Sequence, residues 1–329
     1  MQAYYDRKGV SFRSKLIGNY SSQMKLASLV PWGYNLVFNT PLFRRLVNKA
    51  VGFHADRTMP LLHATTLRHW YEKHSKHHKK TGTTPLGTVN LFCDEFSNYN
   101  DVEVGKKMVL LLETLGYEVQ MPAHFESGRT YLSKGLVRKA AELAIKNVQL
   151  LSACVTAATP VIGIEPSAVL TLRDEYPELV PQHLRQQAKG LAKNTWLFEE
   201  WFAGEMNKGN IGADRFTTVD ADLYIHGHCH QKSLSSTKFI TESLSVVPGF
   251  RIQEIPSGCC GMAGSFGYEK EHYDVSMKIG NLVLFPAIRK MSGDAVIAAS
   301  GTSCRHQIKD GTGRKSRHTA EILYDSLLK

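Results

Sequence analysis

Apolar residues fall at helical spacing through the first eighty positions, as in Leu42, Leu46 and Ala50 and around Leu61–Leu62, and Pro31, Pro41 and Pro60 interrupt the pattern. The spacing predicts short helices. His69 to Lys80 is polar and basic, and Thr81–Gly82–Thr83–Thr84–Pro85 is turn-rich, so a solvated linker and the main domain boundary are expected there. Beyond it the pattern changes. Val89 to Phe92 reads as a strand, Val104 to Leu115 as a helix and Tyr117 to Met121 as a second strand. A loop through Glu126 to Arg129, a long helix near Leu136 to Leu151 and the strand Val161 to Ile164 follow.

The second half repeats this order. Leu223 to His226 reads as a strand, a mixed segment runs to about Val247, and Phe250 to Ile255 reads as another strand. The loop Cys259–Cys260–Gly261, a helix over about Tyr273 to Arg289 and the strand Ala295 to Ala299 complete it. The pattern predicts an α/β fold of two Rossmann-like repeats, a diverged internal duplication preceded by a helical N-terminal segment. The expected division is residues 1–85 for that segment and linker, 86–220 for the first repeat and 221–329 for the second.

Aligning the repeats sets Cys93 opposite Cys229, Glu126–Ser127–Gly128 opposite Cys259–Cys260–Gly261, and Ser167–Ala168 opposite Ser303–Cys304. Each position falls at or just past a strand end, where loops of parallel sheets carry ligands. The first repeat is degenerate at these positions, and the second keeps a site. Four thiolates on converging loops suit zinc or an iron–sulfur cluster. The chain has no compact C-x₂₋₄-C knuckle of the structural zinc kind, and adjacent Cys259–Cys260 before Gly261 favours a bulkier inorganic core approached closely by backbone. Cys154, at the end of the pattern Leu150–Leu151–Ser152–Ala153, is expected inside a helix as a core residue, and Cys93 is expected to be structural.

Composition narrows the setting. With 43% hydrophobic and 21% charged residues the chain is an ordinary globular protein, and six cysteines in 329 residues are too few for a disulfide scaffold. The net charge of +10 gathers partly at Arg68, Lys73, Lys76, Lys79 and Lys80 and does not by itself select a partner. The longest uncharged stretch, Leu26 to Phe43, holds Pro31, Gly33, Asn35, Asn39 and Pro41, so no membrane span and no secretory signal are expected, and the compartment implied is the cytoplasm. Trp32, Tyr34, Phe38 and Phe43 beside Arg44 and Arg45 suit either core packing, the expected role, or peripheral docking on the inner membrane or a partner subunit.

The strings His228–Cys229–His230–Gln231, Ser257–Gly258–Cys259–Cys260–Gly261–Met262–Ala263–Gly264 and Gly301–Thr302–Ser303–Cys304–Arg305–His306–Gln307 resemble the cysteine-rich CCG domain. That family includes heterodisulfide reductase B subunits and the iron–sulfur parts of glycolate, lactate and glycerol-3-phosphate dehydrogenases. The run Ser257 to Tyr273 is similar to the C-terminal part of bacterial FAD-linked 2-hydroxyacid oxidoreductases. The resemblance implies an electron-transfer module, with Cys229, Cys259, Cys260 and Cys304 holding a 4Fe–4S cluster. It implies FAD on a partner or in an upstream region, and onward passage of electrons to a quinone or another carrier. Gly301 stands where heterodisulfide reductases carry a further cysteine, leaving four thiolates rather than five. A heterodisulfide-reductase-like subunit and a zinc-stabilised protein-binding scaffold are the alternative readings.

Around the thiolates, His228 and His230 are expected to tune the cluster by hydrogen bonds or proton relay, with His226 a neighbour on the same strand end. Arg305 and Lys270 are expected to offset its negative charge. His306 is a further ligand candidate of the Rieske type, although such centres need two histidines on one iron.

Overall fold

The computed structural model describes residues 1–77 and 84–328. Seven parallel strands carry the α/β part: β1 Gly87–Phe92, β2 Tyr117–Gln120, β3 Val161–Gly163, β4 Thr195–Leu197, β5 Ala221–Ile225, β6 Phe250–Glu254 and β7 Val296–Ala298. They form two sheets, ordered β2-β1-β3-β4 and β6-β5-β7. In both, the first strand of the half lies between the second and the third, which is the duplicated arrangement the pattern predicts. Six short helices between Gln2 and His77 precede the sheets.

Strand β1 is buried on both faces from Val89 to Phe92, as a covered parallel sheet requires. Val89 and Leu91 share one core with Leu223 and Ile225 of β5 and with Met108, Val109 and Leu112 of helix Val102–Thr114. Ala320, Ile322 and Leu323 of the last helix, Thr319–Asp325, join the same core. The two sheets therefore do not bury separate interiors. A second cluster, with Ile255, Cys260, Phe285, Ile297 and Cys304, backs the cysteine loops.

Several elements depart from the sequence expectation. The stretch about Leu61–Leu62 is not helical, because Asn35 donates to Leu62 O (2.8 Å) and accepts from Leu62 N (2.9 Å), while Asn100 donates to Leu61 O (2.9 Å). These side chains satisfy backbone groups that a helix would have paired. The basic tail is a docked helix, Leu67–His77, rather than a solvated linker: Trp70 and Tyr71 pack on the core, and Tyr71 donates to Val119 O at 2.7 Å. Of the turn-rich linker, Thr81 to Thr83 lie outside the described residues, as do His78, Lys79 and Lys80. The expected helix over Tyr273 to Arg289 is two helices, Tyr273–Leu282 and Leu284–Lys290, broken at Val283. Pro286 has no N–H for the carbonyl of Leu282, and its ring would clash there. Cys154 lies past the end of its helix, which stops at Leu151, and is half-buried against the core.

The N-terminal segment is fastened to the second half chiefly through Arg57. Its fully buried guanidinium donates to Gly267 O (2.8 Å), Gln307 Oε1 (2.7 Å) and Ser276 Oγ (3.2 Å), and pairs with Asp310 (3.1 Å). The Tyr273 ring lies 4.7 Å from it. The aromatic residues of helices Pro31–Asn39 and Pro41–Val51 divide. Tyr34 and Phe38 face inward, whereas Trp32 and Phe43 are exposed, so the expected core role fails for the latter two. The reason is geometric: helices of nine and eleven residues bury one stripe, and Trp32, Leu36, Leu42, Phe43 and Leu46 fall off it.

Candidate metal centre

Three loops beyond the carboxyl ends of β5, β6 and β7 bring the second-half cysteines together. After β5, His226 keeps sheet pairing by donating from its N–H to Ala298 O (2.9 Å). His228 then caps helix Cys229–Leu234, with its Nδ1 accepting from His230 N at 3.2 Å. After β6, Ile255 N donates to Ile225 O (2.8 Å), and the chain turns through Ser257 into Cys259–Cys260. After β7, Gly301 starts helix Thr302–Thr312, in whose first turn Cys304 stands. Gly261 has φ +94°, and a Cβ there would lie 2.2 Å from Ser276 O. The close approach of this turn to helix Tyr273–Leu282 by itself demands glycine at the position.

The thiols of Cys229 and Cys259, of Cys259 and Cys260, and of Cys260 and Cys304 are hydrogen-bonding neighbours. The protons are unevenly shared along this row. Hydrogen bonds from the adjoining thiols hold Cys259 and Cys304 well below the ordinary thiol range, and the same contacts push Cys229 and Cys260 up. Cys260 and Cys304 are buried, Cys259 half-buried and Cys229 exposed, so the row runs from the interior to a surface. At the inner end, a ring nitrogen of His226 and the sulfurs of Cys260 and Cys304 lie within 4.8 Å of one another. His226 Nδ1 is bonded to Ser257 Oγ (2.8 Å), and its buried Nε2 has no hydrogen-bond partner. Soft thiolates beside an unpartnered imidazole nitrogen fit a soft transition metal or an iron–sulfur cluster.

The neighbouring groups are differently disposed. Burial, Arg129 and His228 lower the pKa of His230 to about 4, so it is neutral at physiological pH. Arg305 pairs with Asp101 (2.6 Å) and donates to the carbonyls of Ala299 (2.9 Å) and Ser300 (2.6 Å), just before the Cys304 helix. Lys270 is exposed. His306 turns to Thr58, with Nε2 2.7 Å from the hydroxyl and 2.9 Å from the carbonyl, and so addresses the N-terminal segment and not the thiols. Glu165, from the end of β3, reaches across to the second half: it accepts from Thr302 N (2.7 Å) and Ser167 Oγ (2.7 Å), with His228 Nε2 3.9 Å away. Burial would raise its pKa, but His228, the Thr302 N–H, Ser167 and Arg305 outweigh it and hold the carboxyl below its ordinary range.

A cavity of about 650 Å³ opens on the thiol row. Cys229, Cys260, Cys304, His228 and His230 form its floor, and Ile17, Tyr20, Met24, Phe38, Val51, Phe53 and Met59 of the N-terminal helices form a mostly apolar roof. Ala263 at its edge has φ +43°, a strained backbone of the kind often found at functional sites.

No protein-family model matches the chain. It is 26% identical to D-2-hydroxyglutarate dehydrogenase of Escherichia coli over 99% of this chain and 31% of that protein. It is 27% identical to the C subunit of anaerobic glycerol-3-phosphate dehydrogenase of E. coli over 99% of this chain and 80% of that polypeptide. It is 25% identical to lactate utilization protein A of Bacillus subtilis over 71% of this chain and 98% of that protein. The chain is a relative of the CCG-type iron–sulfur dehydrogenase proteins. It spans about a third of the first of these relatives and four-fifths of the second.

Two contributors to the site are not singled out by the sequence pattern. That pattern sets His226 on one strand end with His228 and His230, whereas β5 stops at Ile225 and a helix begins at Cys229, so His226 stands apart at the head of the loop. Its position directly after the strand was the available signal. Glu165 had none, because Thr302 and His228, which tie it to the site, come from the other half of the chain.

Proposed function

We propose that Cys229, Cys259, Cys260 and Cys304 hold an iron–sulfur cluster of the 4Fe–4S kind and that this chain is the electron-transfer module of a flavin-linked dehydrogenase. One observation carries the reading: thiols from three separate loops, Cys229, Cys260 and Cys304, line one cavity, with Cys259 adjoining Cys260 in sequence and a buried imidazole beside the inner pair. Such a cluster, when bound, supplies one-electron steps between a two-electron flavin and the next carrier. The chain's own residues hold it and set the charge around it. His228 and His230 flank the Cys229 loop, and Arg305 braces the carbonyls ahead of Cys304.

The names of the relatives suggest the reaction served. A flavin on a partner polypeptide or an upstream region oxidises a 2-hydroxy acid such as 2-hydroxyglutarate, lactate or glycolate to the 2-oxo acid. That the glycerol-3-phosphate dehydrogenase relative is itself one polypeptide of a larger enzyme supports a flavin carried on a separate chain. The apolar cavity beside the thiols supports a hydrophobic acceptor, and we read it as a quinone site: the ring takes two electrons and two protons to become the quinol. Exposed Trp32, Leu36, Leu42, Phe43 and Leu46 beside Arg44 and Arg45 support peripheral attachment to an anionic membrane surface. Among the described residues no helix is long and apolar enough to cross a membrane.

Anaerobic purification tests the core of this reading. The expected result is a brown protein with roughly four irons and matching inorganic sulfide per chain. Zinc without sulfide would overturn it in favour of a structural scaffold. For the acceptor, Val51→Trp should fill the cavity and suppress quinone reduction at unchanged iron content, and unimpaired quinone reduction would remove the cavity from the electron path.

A further inference from the structure

The missing fifth cysteine has a replacement in the fold. We infer that His226 is a direct ligand of the metal centre through Nε2, restoring a five-donor set of Cys229, Cys259, Cys260, Cys304 and His226. This rests on the iron–sulfur reading above.

Three observations carry it. First, a nitrogen of the His226 ring and the sulfurs of Cys260 and Cys304 lie within 4.8 Å of one another, among residues that are all buried. Second, the ring is oriented as ligating histidines are. Ser257 Oγ lies 2.8 Å from Nδ1 and 3.4 Å from Ile255 O. With the hydroxyl donating to that carbonyl, Nδ1–H donates to Oγ and the Nε2 lone pair is left bare. A ligating imidazole characteristically donates its other N–H in this way, which fixes its tautomer. Third, buried Nε2 has no hydrogen-bond partner within bonding distance, and the group drawn towards this ring is the thiol of Cys304, itself a proposed ligand.

The same reasoning sets His228 apart. Its Nδ1 accepts a backbone N–H from His230, so in the neutral ring the proton is on Nε2, which faces Glu165 at 3.9 Å. His228 therefore offers a donor and no lone pair. It also occupies the space of the absent cysteine: a Cβ on Gly301 would lie 2.4 Å from His228 Cδ2 and 3.3 Å from Cys304 Sγ. A thiolate at 301 and the His228 ring in its present place exclude each other.

The test uses the full chain, loaded anaerobically with ⁵⁷Fe and labelled with ¹⁵N-histidine. Pulsed EPR of the reduced state should detect one strongly coupled histidine nitrogen, and Mössbauer spectra of the oxidised state should contain an iron site distinct from those coordinated by thiolate and sulfide alone. Both signatures should vanish in His226→Ala and His226→Cys and persist in His228→Ala and His230→Ala. His226→Cys should still load, with a lower midpoint potential because a thiolate replaces a neutral ligand. It keeps the test decisive if the alanine variant fails to assemble. A loaded wild-type chain lacking both signatures, or His226→Cys retaining them, overturns the inference. A wild-type chain that takes up no iron and sulfide overturns the underlying reading instead.

Discussion

The two halves of this molecule share a strand order and differ in what fills the same loops. In the second half, the loops after β5, β6 and β7 hold thiols and an imidazole with an unpartnered nitrogen. In the first half the equivalent loops are closed by carboxylates and hydroxyls. Asp94 accepts from Phe96 N (2.8 Å) and Ser97 N (2.9 Å), and Glu95 accepts from Ser127 N (2.9 Å) and Ser127 Oγ (2.8 Å). Cys93 N donates to His124 Nε2 at 3.0 Å, and burial pushes the Cys93 thiol up to about 12, so it stays protonated and inert. Gly128 keeps a left-handed φ of +81° opposite Gly261 at +94°. The turn geometry has survived while the chemistry within it has changed. The same loop scaffold thus accommodates either an internally satisfied polar network or a set of thiols, without remaking the fold.

The sharpest way to break the comparison is to exchange hydroxyl for thiol on each side. Cys260→Ser should abolish cluster loading, because a neutral hydroxyl is a poor ligand for soft metals, whereas Cys93→Ser should leave iron and sulfide content unchanged. Iron analysis of the two variants checks this, and full iron in Cys260→Ser would remove it from the ligand set. The internal satisfaction of the first half is addressed by Glu95→Ala, which leaves the Ser127 N–H unpaired and opens a small void. A loss of about 3 kcal/mol in denaturant unfolding is expected, with iron content retained.

The seam between the halves is sensitive to acid. His318 donates from Nε2 to Ile164 O (3.2 Å) and accepts from Ala320 N at Nδ1 (3.0 Å), a pattern that only the neutral ring satisfies. Burial, with Arg305 nearby, lowers its pKa to about 3. Between that value and the unfolded value near 6.5, the unfolded chain binds a proton that the folded chain refuses, so stability falls as pH drops through this window. From about pH 6.5 to pH 5 the loss attributable to His318 is on the order of 2 kcal/mol, and urea titrations across that range should be flatter by this amount in His318→Asn. The smallest effect is expected at Cys154→Ala: about 1 kcal/mol or less in stability and none in iron content, since this half-buried thiol belongs to the first half's packing.

Much of this contrast was legible from residue order. The apolar alternation located β1, β2, β3, β5, β6 and β7, and the cysteines named the three loops that converge. Strand β4 escaped because, unlike the equally short β3 and β7, it carries no β-branched apolar run, with Trp196 exposed at its middle. The region between Pro166 and Arg215 carried no decisive signal, its helices being short and interrupted. Leu61–Leu62 has helical spacing, but its backbone is captured by Asn35 and Asn100, a tertiary contact that periodicity does not encode. The cavity was equally hidden, since it exists only where the N-terminal helices fold back over the thiols. Local pattern gave the parts, and long-range hydrogen bonds decided which parts meet.

The reach of Glu165 from β3 to the Thr302 N–H has a practical corollary for anyone wishing to transplant this centre. Excising the second half as a minimal redox cassette would strip the cysteine-bearing helix of its buried anionic anchor and expose the interior common to both sheets. The smallest portable unit is the whole duplication, because the half without the thiol set supplies both the anchor and much of the shared interior.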